Sequence, residues 1–260
     1  MLSRRVRPWA AGLLVLVLTA PLALSAQRGF FDNRRGGYIL PNVPYDGQFT
    51  FARIRYLGRS SWDADYPQME RNLTTLLDTL TAIPTHMDGS NVHTFDDPEL
   101  LKYPVAYLTE PGYWVPSDEE VEGLRRYLAK GGFLIVDDFY DPGFRYGREW
   151  QTFEAGLRRV LPDADIVPMD VSHPIFNTFF HVQSLEIPYP NQGRLGRDLI
   201  GEFYGIYPDN DRSRPLNMII NYNMDVGDYV EWSHTSVYTL APTNEAYKLM
   251  INYVIYGLTR

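Results

Sequence analysis

The clearest pattern of apolar and polar positions lies between residues 117 and 136. Ser117 and Glu120 have the spacing of a capping box, apolar residues then recur every three or four positions, and Gly131 marks the end of the predicted helix. Residues 133–136 are apolar without alternation, which is typical of a strand buried on both faces. The segment therefore predicts a helix that leads into a central strand.

The rest of the chain alternates strands with helices in the same way. Strand, helix and strand in this order predict a mostly parallel sheet with helices on both faces. The predicted strands are residues 49–57, 86–95, 104–109, 199–207 and 216–222, with a further strand starting at 166–167. The other predicted helices are residues 67–80, 148–161 and 244–258. The sequence has no internal repeat and no sign of a second domain, so residues 49–260 are predicted to form a single α/β domain. Residues 27–48 are predicted to be an N-terminal spacer or an arm that lies on the domain.

The first 26 residues have the pattern of a signal peptide. Three arginines within the first seven residues precede an apolar stretch from Trp9 to Leu24, and the small residues Ser25 and Ala26 follow. A proline within this stretch and its limited length argue against a permanent membrane span. We expect cleavage near residue 27 and a periplasmic or secreted protein, with a retained anchor as the alternative.

Charge and cysteine content narrow the classes of partner and chemistry. Loss of the three signal-peptide arginines would change the formal net charge from −8 to −11. A domain this acidic is repelled by phosphate backbones and anionic lipid surfaces, so neither nucleic acid nor a membrane surface is an expected partner. The chain has no cysteine, which excludes disulfides, thiolate metal sites and a cysteine nucleophile.

Candidate ligand-binding residues lie where predicted parallel strands end. Glu110 follows one strand, and Asp137 and Asp138 follow the buried strand ending at residue 136. Ligands bind beyond the carboxyl ends of such strands, and burial with mutual repulsion would raise a carboxylate pKa there. The alternative is that these side chains cap loops or point into water. His173, before a proline, is a further ligand-site candidate, or else a capping or packing residue.

A third cluster of candidates lies between residues 221 and 232. Asn223, Asp225 and Asp228 offer oxygen ligands after an apolar strand. One interpretation is a calcium site, but the spacing lacks the alternation of a calcium loop, so the favoured interpretation is a polar loop that turns at Gly227. Motifs for nucleophilic serine chemistry, zinc hydrolases and phosphate or dinucleotide binding are absent. No metal and no cofactor is predicted.

Four segments together resemble the bacterial domain-of-unknown-function family 4159. They are residues 51–56, 108–112, 131–139 and 225–228. That family resembles the class I glutamine amidotransferase-like fold, which is flavodoxin-like, and residues 173–175 are similar to a motif of trehalose-utilisation-type proteins with this fold. In true amidotransferases a nucleophilic cysteine follows a sheet strand. Here the comparable turn carries Asp137 and Asp138, so thiolate hydrolysis of glutamine is excluded.

The resemblance implies a fold more than an activity. Our leading hypothesis is an exported, non-catalytic module that binds a small ligand or an envelope protein partner at the carboxyl edge of the sheet. The alternative is a carboxylate-dependent hydrolase that acts on carbohydrate or a related small substrate.

Overall fold

A seven-stranded sheet organises the protein, as seen in a computed structural model that describes residues 39, 41–57, 62–63, 65–142, 146–190 and 199–260. The predicted signal peptide and most of the predicted spacer lie outside these residues. The strands are β1 (Phe49–Ile54), β2 (Thr85–His93), β3 (Val105–Leu108), β4 (Phe133–Val136), β5 (Val167–Pro168), β6 (Glu202–Ile206) and β7 (Met218–Tyr222).

The sheet is mostly parallel. Its strand order is β2-β1-β3-β4-β7-β6-β5. The first five strands in this order are parallel to one another, and β6 and β5 are added antiparallel at one side. The carboxyl ends of β1, β3, β4 and β7 therefore meet at one edge. The predicted mixed α/β class with a mostly parallel sheet is confirmed.

In the part of the chain that the structure describes, five α-helices pack in two groups. They are α1 (Gln68–Leu80), α2 (Asp118–Ala129), α3 (Arg148–Val160), α4 (Val226–Glu231) and α5 (Leu240–Thr259). Helices α1, α4 and α5 pack together, and α2 packs against α3. All four residues of β3 and of β4 are buried, as the unalternated apolar run at 133–136 predicts. Because both faces of these strands are covered, the two helix groups lie on opposite sides of the sheet.

The capping box at the start of α2 forms as predicted. The amide of Glu120 donates to Ser117 Oγ at 3.2 Å, and the amide of Ser117 donates to Glu120 Oε2 at 2.9 Å. These two bonds satisfy amides that a helix start leaves without partners. A local pattern is sufficient here because both partners lie within one turn.

Two expectations about the C-terminal third need correction. Helix α5 begins at Leu240 rather than near residue 244, since Pro242 is compatible with a first helical turn. The expected polar loop turning at Gly227 is instead helix α4. Asp225 caps it by accepting a hydrogen bond from the amide of Asp228 at 2.8 Å.

The described part of the predicted spacer lies against β2. Asn42 Nδ2 donates to the carbonyl of Val92 at 2.9 Å, and the amide of Val43 donates to Asn91 Oδ1 at the same distance. Tyr45 packs edge-on against Tyr103. Among the helices within the described ranges, none combines the length and apolarity of a membrane-spanning helix.

Candidate functional site

Sharp turns follow three parallel strands at the carboxyl edge of the sheet. Glu110, Asp138 and Asn223 come within two residues of the ends of β3, β4 and β7, and their φ angles are 48°, 70° and 49°. This left-handed region costs a non-glycine residue about 1–2 kcal/mol, and such strain concentrates at functional sites. The register pairs Leu108 with Val136, so Glu110 and Asp138 follow neighbouring strands.

Asp137 is a structural centre of this edge. It is fully buried, and its Oδ2 accepts hydrogen bonds from Tyr107 Oη, from the amide of Val226 and from the amide of Gly227, each at 2.9 Å. Its Oδ1 accepts from Asn221 Nδ2, also at 2.9 Å. Burial raises the pKa of Asp137, and these hydrogen bonds lower it in part. The carboxylate thus joins β3, β4, β7 and the start of α4.

Asp138 belongs to a group of carboxylates. One oxygen each from Asp65, Asp138 and Asp225 lie within 4.8 Å of one another, and a second trio at the same limit comprises Asp65, Asp228 and Glu231. Asp65 belongs to both trios, and it and Asp225 are buried. Five carboxylates are therefore concentrated at the edge where β1, β4 and β7 end.

Burial and mutual repulsion act on this group, which we call the acidic cluster (Asp65, Asp138, Asp225, Asp228 and Glu231). Burial raises the pKa of Asp138 well above its ordinary value, and the negative charges of Glu110 and Asp65 raise it further. Burial likewise raises the pKa of Asp225, with additional effects of Asp138 and Asp228. Both effects disfavour the charged carboxylate, as expected for like charges held together away from water.

Asp228 and Glu231 lie on α4, at the more open side of the acidic cluster. Asp228 Oδ2 accepts a hydrogen bond from Tyr238 Oη at 2.6 Å. Burial raises the pKa of Asp228, and this hydrogen bond lowers it in part. Burial, followed by the charge of Asp228, raises the pKa of Glu231 to about 7. A carboxyl group with this pKa exchanges protons near neutral pH.

Asp65 and Glu231 belong to the cluster but were not among the site residues predicted from the sequence. Asp65 lies just before α1, in the connection that follows β1. The available signal was topological, because a connection that leaves a parallel strand starts at the same sheet edge as those after β3 and β4. The residue is 5% exposed, and among the described residues Oδ2 has no hydrogen-bond partner. Asp65 thus contributes a buried carboxyl oxygen without a hydrogen bond to the site.

A buried ion pair lies beneath the cluster. Arg53 on β1 pairs through Nε with Glu70 on α1, and its Nη1 donates to the carbonyl of Trp62 at 2.7 Å. The guanidinium lies 5.2 Å from the ring centroid of Tyr107. The charge of Arg53 lowers the pKa of Asp65 in part, but burial has the larger effect and raises it. Arg53 is therefore committed mainly to Glu70 and the backbone.

Tyrosines and a further glutamate surround the acidic cluster. Tyr189 packs on Tyr140 with ring centroids 5.2 Å apart. Burial raises the pKa of Tyr189, and the charges of Asp225 and Asp138 add to this, so the ring lies within the electrostatic reach of the cluster. Glu149 Oε2 accepts from the amide of Tyr140 at 2.6 Å, and burial raises the pKa of Glu149 to about 7.

Asn223 has a local role in the turn after β7. It is buried, and its Oδ1 accepts a hydrogen bond from the amide of Asp141 at 2.8 Å. Asp141 in turn accepts from the amides of Glu149 and Trp150, at the start of α3. Asn223 thereby links the turns after β4 and β7 that carry Asp138 and Asp225.

His173 lies away from the other candidates. Its Nδ1 accepts from the amide of Ile175 at 3.2 Å, and the ring packs against Tyr207 and Tyr256. Tyr256 accepts from the amide of Leu216, which precedes β7, so His173 lies near the amino end of that strand. Of the seven residues expected at the site, His173 is the one that the fold separates from the carboxyl edge.

A cleft of about 540 Å³ opens at the amino end of the sheet, near Asn217. Two arginines line it. Arg125 donates from Nε to the carbonyl of Val160, and Arg214 pairs with Asp209 at 2.6 Å. Both are engaged in holding local chain segments, and the acidic cluster is not part of this cleft. Its size alone therefore does not make it the preferred site.

The comparison with protein families agrees with the segments noted in the sequence. No curated protein matches the chain. The family model described as Domain of unknown function (DUF4159) matches residues 50–258, a range that includes every carboxylate of the acidic cluster. The chain therefore belongs to the family of proteins with this domain of unknown function, DUF4159.

Proposed function

We propose that this chain is an exported ligand-binding module that takes a positively charged ligand at the carboxyl edge of its sheet. The observation that carries the proposal is the convergence of Asp65, Asp138 and Asp225 there. In the ranges with described coordinates, no lysine or arginine forms an ion pair with any of these three.

The energetics of the cluster favour a cationic ligand. Removing carboxylates from water is unfavourable unless a counter-charge or hydrogen bonds compensate, and repulsion between them adds to the cost. A ligand with positive charge offsets both effects. Tyr189 and Tyr140 extend the site with aromatic surface, which also attracts cations.

The scaffold supports binding at this position. The parallel strands follow the order β2-β1-β3-β4-β7, the arrangement of flavodoxin-like sheets, in which ligands bind where the strand order reverses between β1 and β3. Asp65 and Glu110 lie in the connections that follow those two strands. We extend the proposal to an amidotransferase-like scaffold that has lost thiolate chemistry, because the chain has no cysteine.

A thermal-shift panel tests the proposed function. Calcium, magnesium, spermidine and arginine are added to the protein at matched ionic strength, with sodium chloride, glucose and glutamine as reference additions. A ligand at one hundred times its Kd stabilises the native state by about 2.7 kcal/mol, which corresponds to a rise in Tm of about 5–10 °C for a domain of this size.

Asp138→Asn should reduce the response to the binding cation, whereas Asp78→Asn should not, because Asp78 is an exposed residue of α1 outside the cluster. The proposal is overturned if all four cations act no more strongly than sodium chloride. It is also overturned if the Asp138 variant responds like the unmodified protein.

The second candidate function is a carboxylate-dependent hydrolase, and the raised pKa of Glu231 favours it. A carboxyl group with a pKa of about 7 is suited to general acid–base catalysis near neutral pH. Hydrolysis of chromogenic glycosides and esters that is abolished by Glu231→Gln and unaffected by Asp78→Asn would favour this reaction over simple binding. Absence of turnover across the set would leave the binding module as the better account.

A further inference from the structure

Asp65 presents a buried carboxyl group that the described residues do not fully satisfy. The residue is 5% exposed, and within the described ranges its Oδ2 has no hydrogen-bond donor. Buried charged groups in folded proteins are normally paired, hydrogen-bonded or bound to a metal ion. Asp65 therefore has room for a partner that the described residues do not supply.

Within the described residues, the potential metal ligands grouped with Asp65 are all carboxylate oxygens. Asp138 and Asp225 place one oxygen each within 4.8 Å of it and of each other. Asp228 and Glu231 form the second trio with Asp65, again with one oxygen each within 4.8 Å of the others. Carboxylate sets without histidine or cysteine favour hard divalent cations such as calcium and magnesium over zinc or copper.

The number of carboxylate oxygens suits calcium. Calcium takes about 6–8 oxygen ligands at about 2.3–2.6 Å in flexible geometry. The oxygens of each trio lie within 4.8 Å of one another, close enough for one ion to reach all three. Magnesium usually keeps several water molecules and is bound through one or two carboxylates. Two adjoining trios of carboxylates therefore fit calcium better.

Close packing at Gly227 fixes Asp65 beside the start of α4. A β-carbon on Gly227 would lie 2.9 Å from Asp65 Oδ2 and 2.7 Å from Tyr107 Oη. The same position is 3.5 Å from Asp225 Oδ1. Because glycine has no side chain, the backbone of α4 can approach Asp65 at this position. Asp65 and Asp225 therefore border the same small space.

Arg53 does not take the place of the missing partner. It forms its ion pair with Glu70, which is fully buried beside it, and no hydrogen bond joins it to Asp65. Burial and repulsion between the carboxyl groups outweigh the attraction of Arg53 for Asp65 and for Glu231, since the pKa of each is still raised.

We propose that Asp65, Asp138 and Asp225 bind a divalent cation of the size of calcium, with Asp228 and Glu231 as additional oxygen donors on the α4 side. This inference rests on the proposed function and names the class of its ligand. It also revises the expectation from sequence that the chain carries no metal site, because Asp65 is more than 70 positions away from either of its partners in the first trio.

Calorimetric titration of the chelator-treated full chain with calcium chloride is the direct test. We expect saturable calcium binding and weaker binding of magnesium. Terbium bound at the site should luminesce when the nearby tyrosines are excited, and added calcium should reduce this luminescence by displacing the terbium. Asp65→Asn, Asp138→Asn and Asp225→Asn should each raise the Kd for calcium at least tenfold. Asparagine at 225 keeps the cap of α4, and Asp78→Asn serves as the control with unchanged affinity.

The outcomes separate this inference from the proposed function. Calcium binding that survives all three substitutions would overturn the assignment, since the ion would lie elsewhere. Binding of spermidine or arginine at the carboxyl edge without binding of calcium would overturn the metal site and leave the proposed function intact. Failure of every cation to bind would overturn both. Circular dichroism of each variant confirms that lost binding does not come from unfolding.

Discussion

At the scale of single residues, the aspartates of the carboxyl edge have different environments although the sequence offers no way to rank them. Asp137 accepts four hydrogen bonds from three segments of the chain. Asp65 is buried nearby, with an oxygen that accepts none. The sequence hypothesis assigned Asp137 and Asp138 together to a ligand site. The geometry instead gives Asp137 a structural role and leaves Asp138 in the acidic cluster.

Alanine substitution should separate these roles. Asp137→Ala leaves four donors without an acceptor, and we expect it to lower the free energy of unfolding by about 3 kcal/mol or more. Asp65→Ala removes a buried carboxyl group whose Oδ2 has no hydrogen-bond partner among the described residues, so in the presence of a chelator it should cost much less or even stabilise. Urea denaturation measures both. Equal losses in the two variants would contradict the distinction.

His173 provides a test of pH dependence at the residue scale. Burial lowers its pKa below the ordinary value, and the charge of Asp170 opposes this in part. The unfolded chain therefore binds a proton more readily than the folded one, so the stabilising contribution is present above pH 6.5 and is lost as the pH falls through the folded-state value.

His173→Asn keeps a capping acceptor for the amide of Ile175 but does not titrate. We expect the stability of the unmodified protein, relative to this variant, to be greater at pH 7.5 than at pH 5. Urea denaturation of both proteins at the two pH values measures the difference. A difference independent of pH would show that the neutral form of His173 is not favoured by folding.

At the scale of elements, short-range signals were the most successful. The capping box of α2 and the buried run of β4 formed as predicted, because each depends on neighbours within about one helical turn or one strand. Helix α4 was not predicted, because it depends both on a local cap and on hydrogen bonds to a residue that follows a distant strand. Asp225 caps it locally, while Asp137, from a distant strand, accepts from the amides of Val226 and Gly227.

Removal of the cap on α2 gives the element-scale prediction. Ser117→Ala loses the side-chain acceptor for the amide of Glu120, and we expect a loss of about 1 kcal/mol in the free energy of unfolding. Ser117→Asp restores an acceptor and should recover most of it. The measurement is again urea denaturation. A loss in both variants would mean that the hydroxyl group acts through some contact other than the cap.

At the scale of the whole molecule, the signal-peptide hypothesis predicts a mature chain that begins close to Gln27. The basic, apolar and small-residue regions follow one another in the order that signal peptidases recognise. N-terminal sequencing of protein recovered from the periplasm or the medium is the measurement. Recovery of the intact N-terminus, including Met1, in a membrane fraction would instead support a retained anchor.

The sequence by itself determined the alternation of strands and helices, the mostly parallel sheet and the edge at which Glu110, Asp137 and Asp138 would lie. These features depend on periodicity, local capping and the common direction of parallel strands. The tertiary structure decided which carboxylates meet. Asp65 reaches Asp138 and Asp225 only because β1, β4 and β7 end at one edge and Gly227 allows close packing. His173 lies elsewhere, since proximity depends on how the sheet is ordered and not on separation along the chain.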